Sequence, residues 1–223
     1  MRIALLIPAY NAAATIVRVV KDALNFLSPE DVFVIDDGSS DGTGSAADVL
    51  GVNVLFHRLN MGKGAALRTG FQTVRSRGYD GVILMDADGQ HEARFLPYFL
   101  ERAAVRREGM IVGTRMDRVG KMPRVRRLTN RLTSAIVSAL AGQKIPDSQS
   151  GYRFIHADVL ARLRLTTWRY ETESEMLIQA SRMGYRIGSM PISSIYEDQE
   201  SAISPSRDTV RFIRLILKTI ICR

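Results

Sequence analysis

The stretch VILMDADGQH ends an apolar run, residues 82–85, in two aspartates two positions apart, Asp86 and Asp88. In an extended segment such residues share a face, about 6.5–7 Å apart along the chain. Two carboxylates directed into one pocket repel unless positive charge lies between them. A hard divalent cation, Mg2+ or Mn2+, would relieve the repulsion, take oxygen ligands and keep substrate phosphates among them. Gln90 adds an amide oxygen at the same place. Taken without its surroundings, the pattern also describes a strand-end turn with solvated acids and Gly89 as its turn residue.

Two further clusters carry similar promise. VIDDGSSDGT closes an apolar strand with Asp36 and Asp37. Carboxylates at such a place can bind ribose hydroxyls or a base N–H. Residues 39–43 read more simply as a turn and a helix cap. In NMGKGAALRTGF, Gly62 and Gly64 surround Lys63 just ahead of a helical pattern. This superficially resembles a phosphate cradle but lacks the spacing of a P-loop. It reads either as a lysine beside a nucleotide or as a helix start with glycines for close packing. The acids Glu171, Glu173 and Glu175 fall in the first turns of another helical pattern, where acids usually complement the helix dipole. Trp168 reads as a packing residue or an acceptor-site wall, and His57 and His156 carry no assignable role.

The elements that must position these groups alternate. Residues 2–7, 31–36, 52–57, 81–86 and 110–114 read as strands; 13–27, 43–50, 63–77 and 92–107 read as helices. Such alternation predicts an α/β fold, a mainly parallel twisted sheet flanked by helices. Right-handed crossovers then bring every strand's carboxyl end to one edge, where ligands bind in such sheets. Each unusual polar cluster of the first half follows a strand and so falls on that edge.

Composition sets outer bounds. The chain has 223 residues, 46% hydrophobic and 24% charged, enough for one sizeable core. Its one cysteine, Cys222, permits no internal disulfide and suits a reducing, cytoplasmic setting. The N-terminus reads as a first strand rather than a signal peptide. No stretch reaches the roughly 18 apolar residues of a membrane span. A net charge of +8 favours anionic partners: nucleic acid, phospholipid or a phosphorylated substrate. Nucleic acid fits poorly, because the basic run at 115–131 lacks interleaved aromatics and the strand-end acids would repel a phosphate backbone.

IPAYNAAATI, VIDDGSSDGT, NMGKGAALRTG, LMDADGQH and DSQSGYRF follow one another in this order. The set resembles a family-2 glycosyltransferase with the GT-A, Rossmann-like fold. The resemblance extends over about residues 1–200. The nearest subgroup is the dolichyl-phosphate mannose synthase-like, polyprenyl-phosphate sugar transferases. The resemblance implies that Pro8, Tyr10 and Asn11 line the nucleotide, that Asp36 and Asp37 contact base or ribose, and that Lys63 lies near it. Ala12 stands where the family usually has an acid, so one donor contact is replaced. Asp86, Ala87 and Asp88 would meet the donor diphosphate. Asp86, Asp88 and Gln90 would hold the metal, with Asp88 and Gln90 as its main ligands, and His91 would touch the metal loop or leaving group. Arg115, with Arg127 and Arg131, would grip the acceptor phosphate and the departing diphosphate. Asp147 would be the general base toward a hydroxyl acceptor, or an orienting group toward a lipid phosphate that needs little base. Asp88, Asp147 and Arg115 form the implied catalytic set, and the implied outcome is inversion by single displacement.

The segment 207–223 places Arg207, Arg211, Arg214 and Lys218 at helical spacing beside Val210, Ile213, Leu217, Ile220 and Ile221. This predicts a C-terminal amphipathic helix, residues 206–223, after a catalytic domain, residues 1–205. By pattern alone it suits an anionic bilayer surface, a core-docking helix or a homodimer contact equally. The combined expectation is an enzyme peripheral to the inner membrane face. It would move a hexose from a UDP- or GDP-hexose to a polyprenyl phosphate. A hydroxyl acceptor is the alternative; a non-catalytic nucleotide- or nucleic-acid-binding module is the distant one.

Overall fold

The computed structural model describes residues 1–105, 107–115, 124–193 and 205–221. Among them the strands are β1 (Ile3–Ala9), β2 (Val32–Asp36), β3 (Asn53–Phe56), β4 (Gly81–Leu84), β5 (Met110–Thr114), β6 (Arg153–His156) and β7 (Ile187–Pro191). The helices are α1 (Ala13–Leu24), α2 (Thr43–Asp48), α3 (Lys63–Ser76), α4 (Leu96–Ala104), α5 (Arg124–Ala141), α6 (Ala157–Arg162), α7 (Glu171–Arg182) and α8 (Pro205–Ile221). The strands form one sheet in the order β3-β2-β1-β4-β6-β5-β7.

Successive side chains of a strand face opposite sides, so a sheet covered by helices on both faces needs continuous apolar runs. The central strands have them. Leu6, Phe33, Ile35, Val82 and Leu84 join Leu67, Met176 and Leu177 in one core. Leu5, Ile7, Val34 and Ile83 join Ile16, Val20 and Phe99 in the other.

The parallel sheet expected from the alternation is present with one exception. β6 runs antiparallel to both neighbours, pairing Leu84 with Arg153 and Val112 with Arg153. Its start therefore lies beside the ends of β4 and β5. The residues that precede it, DSQSGY, arrive at the same edge as the loops leaving the parallel strands. Element ends also differ from the periodicity. β4 stops at Leu84, so Asp86 lies two residues beyond it. The expected helix at 92–107 divides into a 3-10 turn, Ala93–Phe95, and α4, with Pro97 in the opening turn of α4, where a missing N–H is harmless.

α8 packs on α7. Leu215 and Thr219 are buried, Phe212 packs against the core, and Arg182 Nη2 donates to Thr219 O at 2.9 Å. Val210, Ile213, Leu217, Ile220 and Ile221 remain exposed. Among the described residues no helix is long and apolar enough to cross a membrane.

Candidate active site

The D-x-D loop is closed by its own polar groups. Met85 N still donates to Leu6 O, 3.0 Å, as a last rung of the ladder. Asp86 N then donates to His91 Nδ1 at 3.2 Å, and Gln90 N donates to Asp88 Oδ1 at 2.9 Å. Gly89 turns the chain at φ +75°, a conformation that favours glycine. Thr15 Oγ1, on α1, donates to Ala87 O at 2.6 Å and ties the loop to the neighbouring helix.

The two aspartates have different surroundings. Lys63 Nζ lies 2.5 Å from Asp86 Oδ1 and 2.5 Å from Glu173 Oε1. Burial disfavours the charged form of Asp86, but the Lys63 ammonium outweighs it and holds the carboxyl well below the usual range. Among the described residues Asp88 has no such cation within bonding distance. Burial, and then the charge of Asp86, push its carboxyl upward. His91 is buried and stacked on Tyr152 with ring centroids 5.0 Å apart. Burial lowers it to about 4, so the ring is neutral at pH 7. Because Nδ1 accepts from Asp86 N–H, the ring proton is assigned to Nε2.

The loops after β1 and β2 are stitched together. Asn11, at φ +48°, accepts from Ser40 N through Oδ1 at 3.0 Å, and its own N–H donates to Ser39 Oγ at 2.9 Å. Ala13 N donates to Asp41 Oδ2 at 2.9 Å, so an acid of the second loop caps α1. Ser39 N donates to Asp36 Oδ1 at 2.9 Å. Asp37 accepts from Met61 N at 3.0 Å and Gly62 N at 2.6 Å, and pairs with His57 Nδ1 at 2.7 Å. Asp37 thus secures the loop that delivers Lys63. Pro8 lies within β1 opposite Ile35, and Tyr10 is exposed at the mouth of the loop.

At the end of β5, Arg115 directly follows the strand and closes on Asp147. Its Nε donates to Oδ2 at 2.9 Å, its Nη2 to Oδ1 at 3.1 Å, and its backbone N to Oδ2 at 3.3 Å. Both side chains are buried. Ser134, on α5, accepts from Ser148 N at 2.9 Å and anchors the next residue. Arg127 and Arg131 share the Ser134 face of α5, four and seven residues apart along it. Arg131 is exposed, and Arg127 Nε finds no hydrogen-bond partner among the described residues. Arg118 and Lys121, of the basic run, lie outside the described residues. Arg153, fully buried, donates from Nε to Ser150 O at 3.1 Å and from Nη1 to Glu173 O at 2.9 Å. It holds the segment before β6 against α7.

The sequence model of the family described as Glycosyl transferase family 2 matches residues 4–164. The chain belongs to that family. It is similar to the undecaprenyl-phosphate mannosyltransferase of Micrococcus luteus, 33% identical over 206 residues, 87% of this chain and 84% of that protein. It is similar also to the UDP-N-acetylglucosamine–dolichyl-phosphate N-acetylglucosaminyltransferase of Methanococcus voltae, 31% identical over 220 residues, 89% of this chain and 87% of the other. Among solved structures, glucosyl-3-phosphoglycerate synthase from Mycobacterium tuberculosis, in complex with Mn2+, uridine diphosphate and phosphoglyceric acid, superposes with a TM-score of 0.75. That likeness covers 99% of this chain and 78% of the other at 20% identity, and it shows the shared GT-A fold. The chain is a family-2 glycosyltransferase, a hexosyltransferase built on that fold.

In this family-2 enzyme the donor groups near the D-x-D loop suit a divalent ion. The Asp88 carboxylate and the Gln90 amide are hard oxygen donors, and among the described residues no cation is bonded to Asp88. Among the described residues no three His, Cys, Asp or Glu side chains form a closed metal cage. Mg2+ and Mn2+ tolerate this, because they keep water and substrate phosphates in their shell. Sequence reasoning passed over three residues of the family-2 site. Glu173, expected to complement the helix dipole, is buried against Lys63, 110 positions earlier. Arg153 braces the segment before β6, and His57 braces the loop after β2 through Asp37. No local spacing announces any of these pairings.

Proposed function

We propose that the chain transfers a hexose from a nucleoside-diphosphate sugar to a polyprenyl phosphate with inversion, aided by Mg2+ or Mn2+. One observation carries the donor side: Asp86 is taken by Lys63, whereas Asp88 and Gln90 on the same loop are not. In this reading Asp88 and Gln90 hold the ion, which when bound neutralises charge developing on the departing diphosphate. Asp36, Asp37, Pro8, Tyr10 and Asn11 frame the nucleoside. An acceptor oxygen forms a bond to the anomeric carbon as the bond from that carbon to the diphosphate breaks, and the nucleoside diphosphate leaves.

The acceptor assignment is supported by the Arg115–Asp147 pair. Both carboxylate oxygens of Asp147 accept from Arg115, so the acid orients rather than takes a proton. A phosphate acceptor asks for no more, since its second pKa near 6 leaves it largely dianionic at pH 7. Relatives that name undecaprenyl and dolichyl phosphates support the same acceptor class. The exposed stripe of α8, with Arg214 and Lys218 beside it, fits the inner face of an anionic membrane, where such a lipid is found. In this reading α8, which takes up the segment 206–223 except for residues 222 and 223, outside the described residues, is a membrane-surface helix docked on the catalytic domain.

A thermal-shift panel tests the donor half. UDP, GDP and their hexose derivatives are added with and without Mn2+. One base is expected to stabilise the chain, and only with metal; at a hundredfold excess over Kd the gain is about 2.7 kcal/mol. Metal-independent stabilisation, or none by either base, refutes the donor assignment. Radiolabelled transfer to undecaprenyl phosphate, against an unphosphorylated polyprenol control, tests the acceptor half.

A further inference from the structure

We propose that Glu173 is a positioning residue for sugar transfer: gripping Lys63 together with Asp86, it fixes the lysine's remaining N–H where the donor diphosphate meets the D-x-D loop. The proposal rests on the donor reading above. An ammonium has three N–H donors, and among the described residues two of them are used, at 2.5 Å each, by Asp86 and Glu173. The third is left over, and the Lys63 side chain keeps 17% of its surface open.

Charge balance at Lys63 does not ask for the second carboxylate. Lys63 and Asp86 already form a neutral pair, and a further buried carboxylate carries a desolvation penalty. Glu173 is ion-paired with the fully buried Arg153 as well, Oε2 to Nη2 at 3.9 Å, and so balances a guanidinium that otherwise donates to the carbonyls of Ser150 and Glu173; the hydrogen bond to Lys63 is separate from that duty. What the second carboxylate adds is constraint. A lysine on four methylenes swings freely unless held from more than one direction.

The seat of Glu173 is itself rigid. Glu175, two residues on, accepts from Thr166 N and Thr167 N, each at 3.0 Å, and locks the segment before α7. Gly64 N donates to Trp168 O at 2.8 Å. A Cβ at Gly62 or Gly64 would collide with Trp168 O or Thr172 Oγ1, so the two glycines let α3 sit directly against this segment. The start of α3, carrying Lys63, and the start of α7, carrying Glu173, therefore form one unit facing the D-x-D loop.

Glu173→Gln keeps the shape and removes the charge. Mn2+-dependent binding of UDP and GDP by calorimetry is the readout, with melting temperature recorded in parallel. For whichever nucleotide the unaltered enzyme binds, Glu173→Gln is expected to weaken affinity at least about tenfold, the scale of one charge-assisted hydrogen bond. In a Lys63→Met background the same change is expected to add less than about twofold, because the lysine through which it acts is gone. Equal affinity of Glu173→Gln and the unaltered enzyme, or losses that add, overturns the relay while leaving the donor assignment standing. Absence of binding by the unaltered enzyme overturns both. If Glu173→Gln loses its cooperative melt, Glu173→Asp takes its place. It keeps the charge but withdraws the carboxylate by one methylene, with the same loss and the same non-additivity expected, and unchanged affinity overturns the relay.

Discussion

Arg115 and Asp147 form a two-pronged ion pair, Nε to Oδ2 at 2.9 Å and Nη2 to Oδ1 at 3.1 Å, with both side chains out of water. The pair joins the end of β5 to the segment that precedes β6. It places a guanidinium and a fixed acid at the sheet edge, 32 residues apart in the chain. A carboxylate so engaged is an organiser of its neighbourhood.

Asp147→Asn separates orientation from proton transfer. Removing a general base lowers turnover by roughly 10²–10⁴. With polyprenyl phosphate as acceptor, Asp147→Asn is expected to lower kcat by less than about 10², with the pH profile unchanged in shape. It should also lower Tm, because Arg115 is left buried opposite a neutral amide. Steady-state kinetics across pH and a melting curve check both; a collapse of kcat with loss of the acid limb would point to a base.

The buried imidazole of His91 makes a pH prediction. Its folded value of about 4 lies below the ordinary 6.5. Between these values the unfolded chain binds a proton that the folded protein does not, so stability falls as pH falls from 6.5 toward 4, by up to about 1.4 kcal/mol per pH unit. His91→Gln keeps an acceptor for Asp86 N–H and removes the titration. Urea unfolding of the metal-free protein at pH 7 and pH 4.5 should show a smaller acid loss in the variant; an identical loss contradicts the assignment.

Gly151 bears on the same carboxylate from the other side. A Cβ built there would run into the Asp86 carboxylate. Gly151→Ala is expected to destabilise the protein by about 2 kcal/mol through overpacking, or about 4–8 °C in Tm. Metal-dependent nucleotide binding should weaken with it. Gly142→Ala is the informative contrast: its Cβ meets nothing within 4 Å, and only its φ of +69° opposes the change. Nucleotide affinity equal to that of the unaltered enzyme in Gly151→Ala would show that Asp86 tolerates displacement.

The outer stripe of α8 can be tested without disturbing the core. Ile213 and Leu217 are about half exposed, at 49% and 53%. The double substitution Ile213→Glu and Leu217→Glu should leave Tm within about 1–2 °C, since surface changes are usually small. Co-sedimentation with anionic phosphatidylglycerol vesicles should fall about tenfold or more, from lost apolar insertion and added negative charge. Undiminished sedimentation would argue for another partner on this face, and analytical ultracentrifugation would then report whether that partner is a second copy.

Much of this was legible before the fold was known, because the signals are local. Continuous apolar runs within residues 2–7, 31–36 and 81–84 mark strands covered on both faces, and the turn chemistry after each marks where they end. From that follows a parallel sheet and a single edge carrying Asn11, Asp36, Asp37, Lys63, Asp86 and Asp88. The family resemblance was equally local, a string of short motifs in order. What no local pattern encodes is the identity of partners. Nothing local in β6 marks its direction, yet it inserts antiparallel between β4 and β5, and only that reversal brings Asp147 to Arg115. Asp86 and Asp88 look equivalent in sequence. They become unlike because Lys63 reaches one of them, and Lys63 is held there by an acid 110 positions away. Sequence periodicity reports which face of an element is buried; the charge state and duty of a buried group depend on what the fold sets against it, and that is decided in three dimensions.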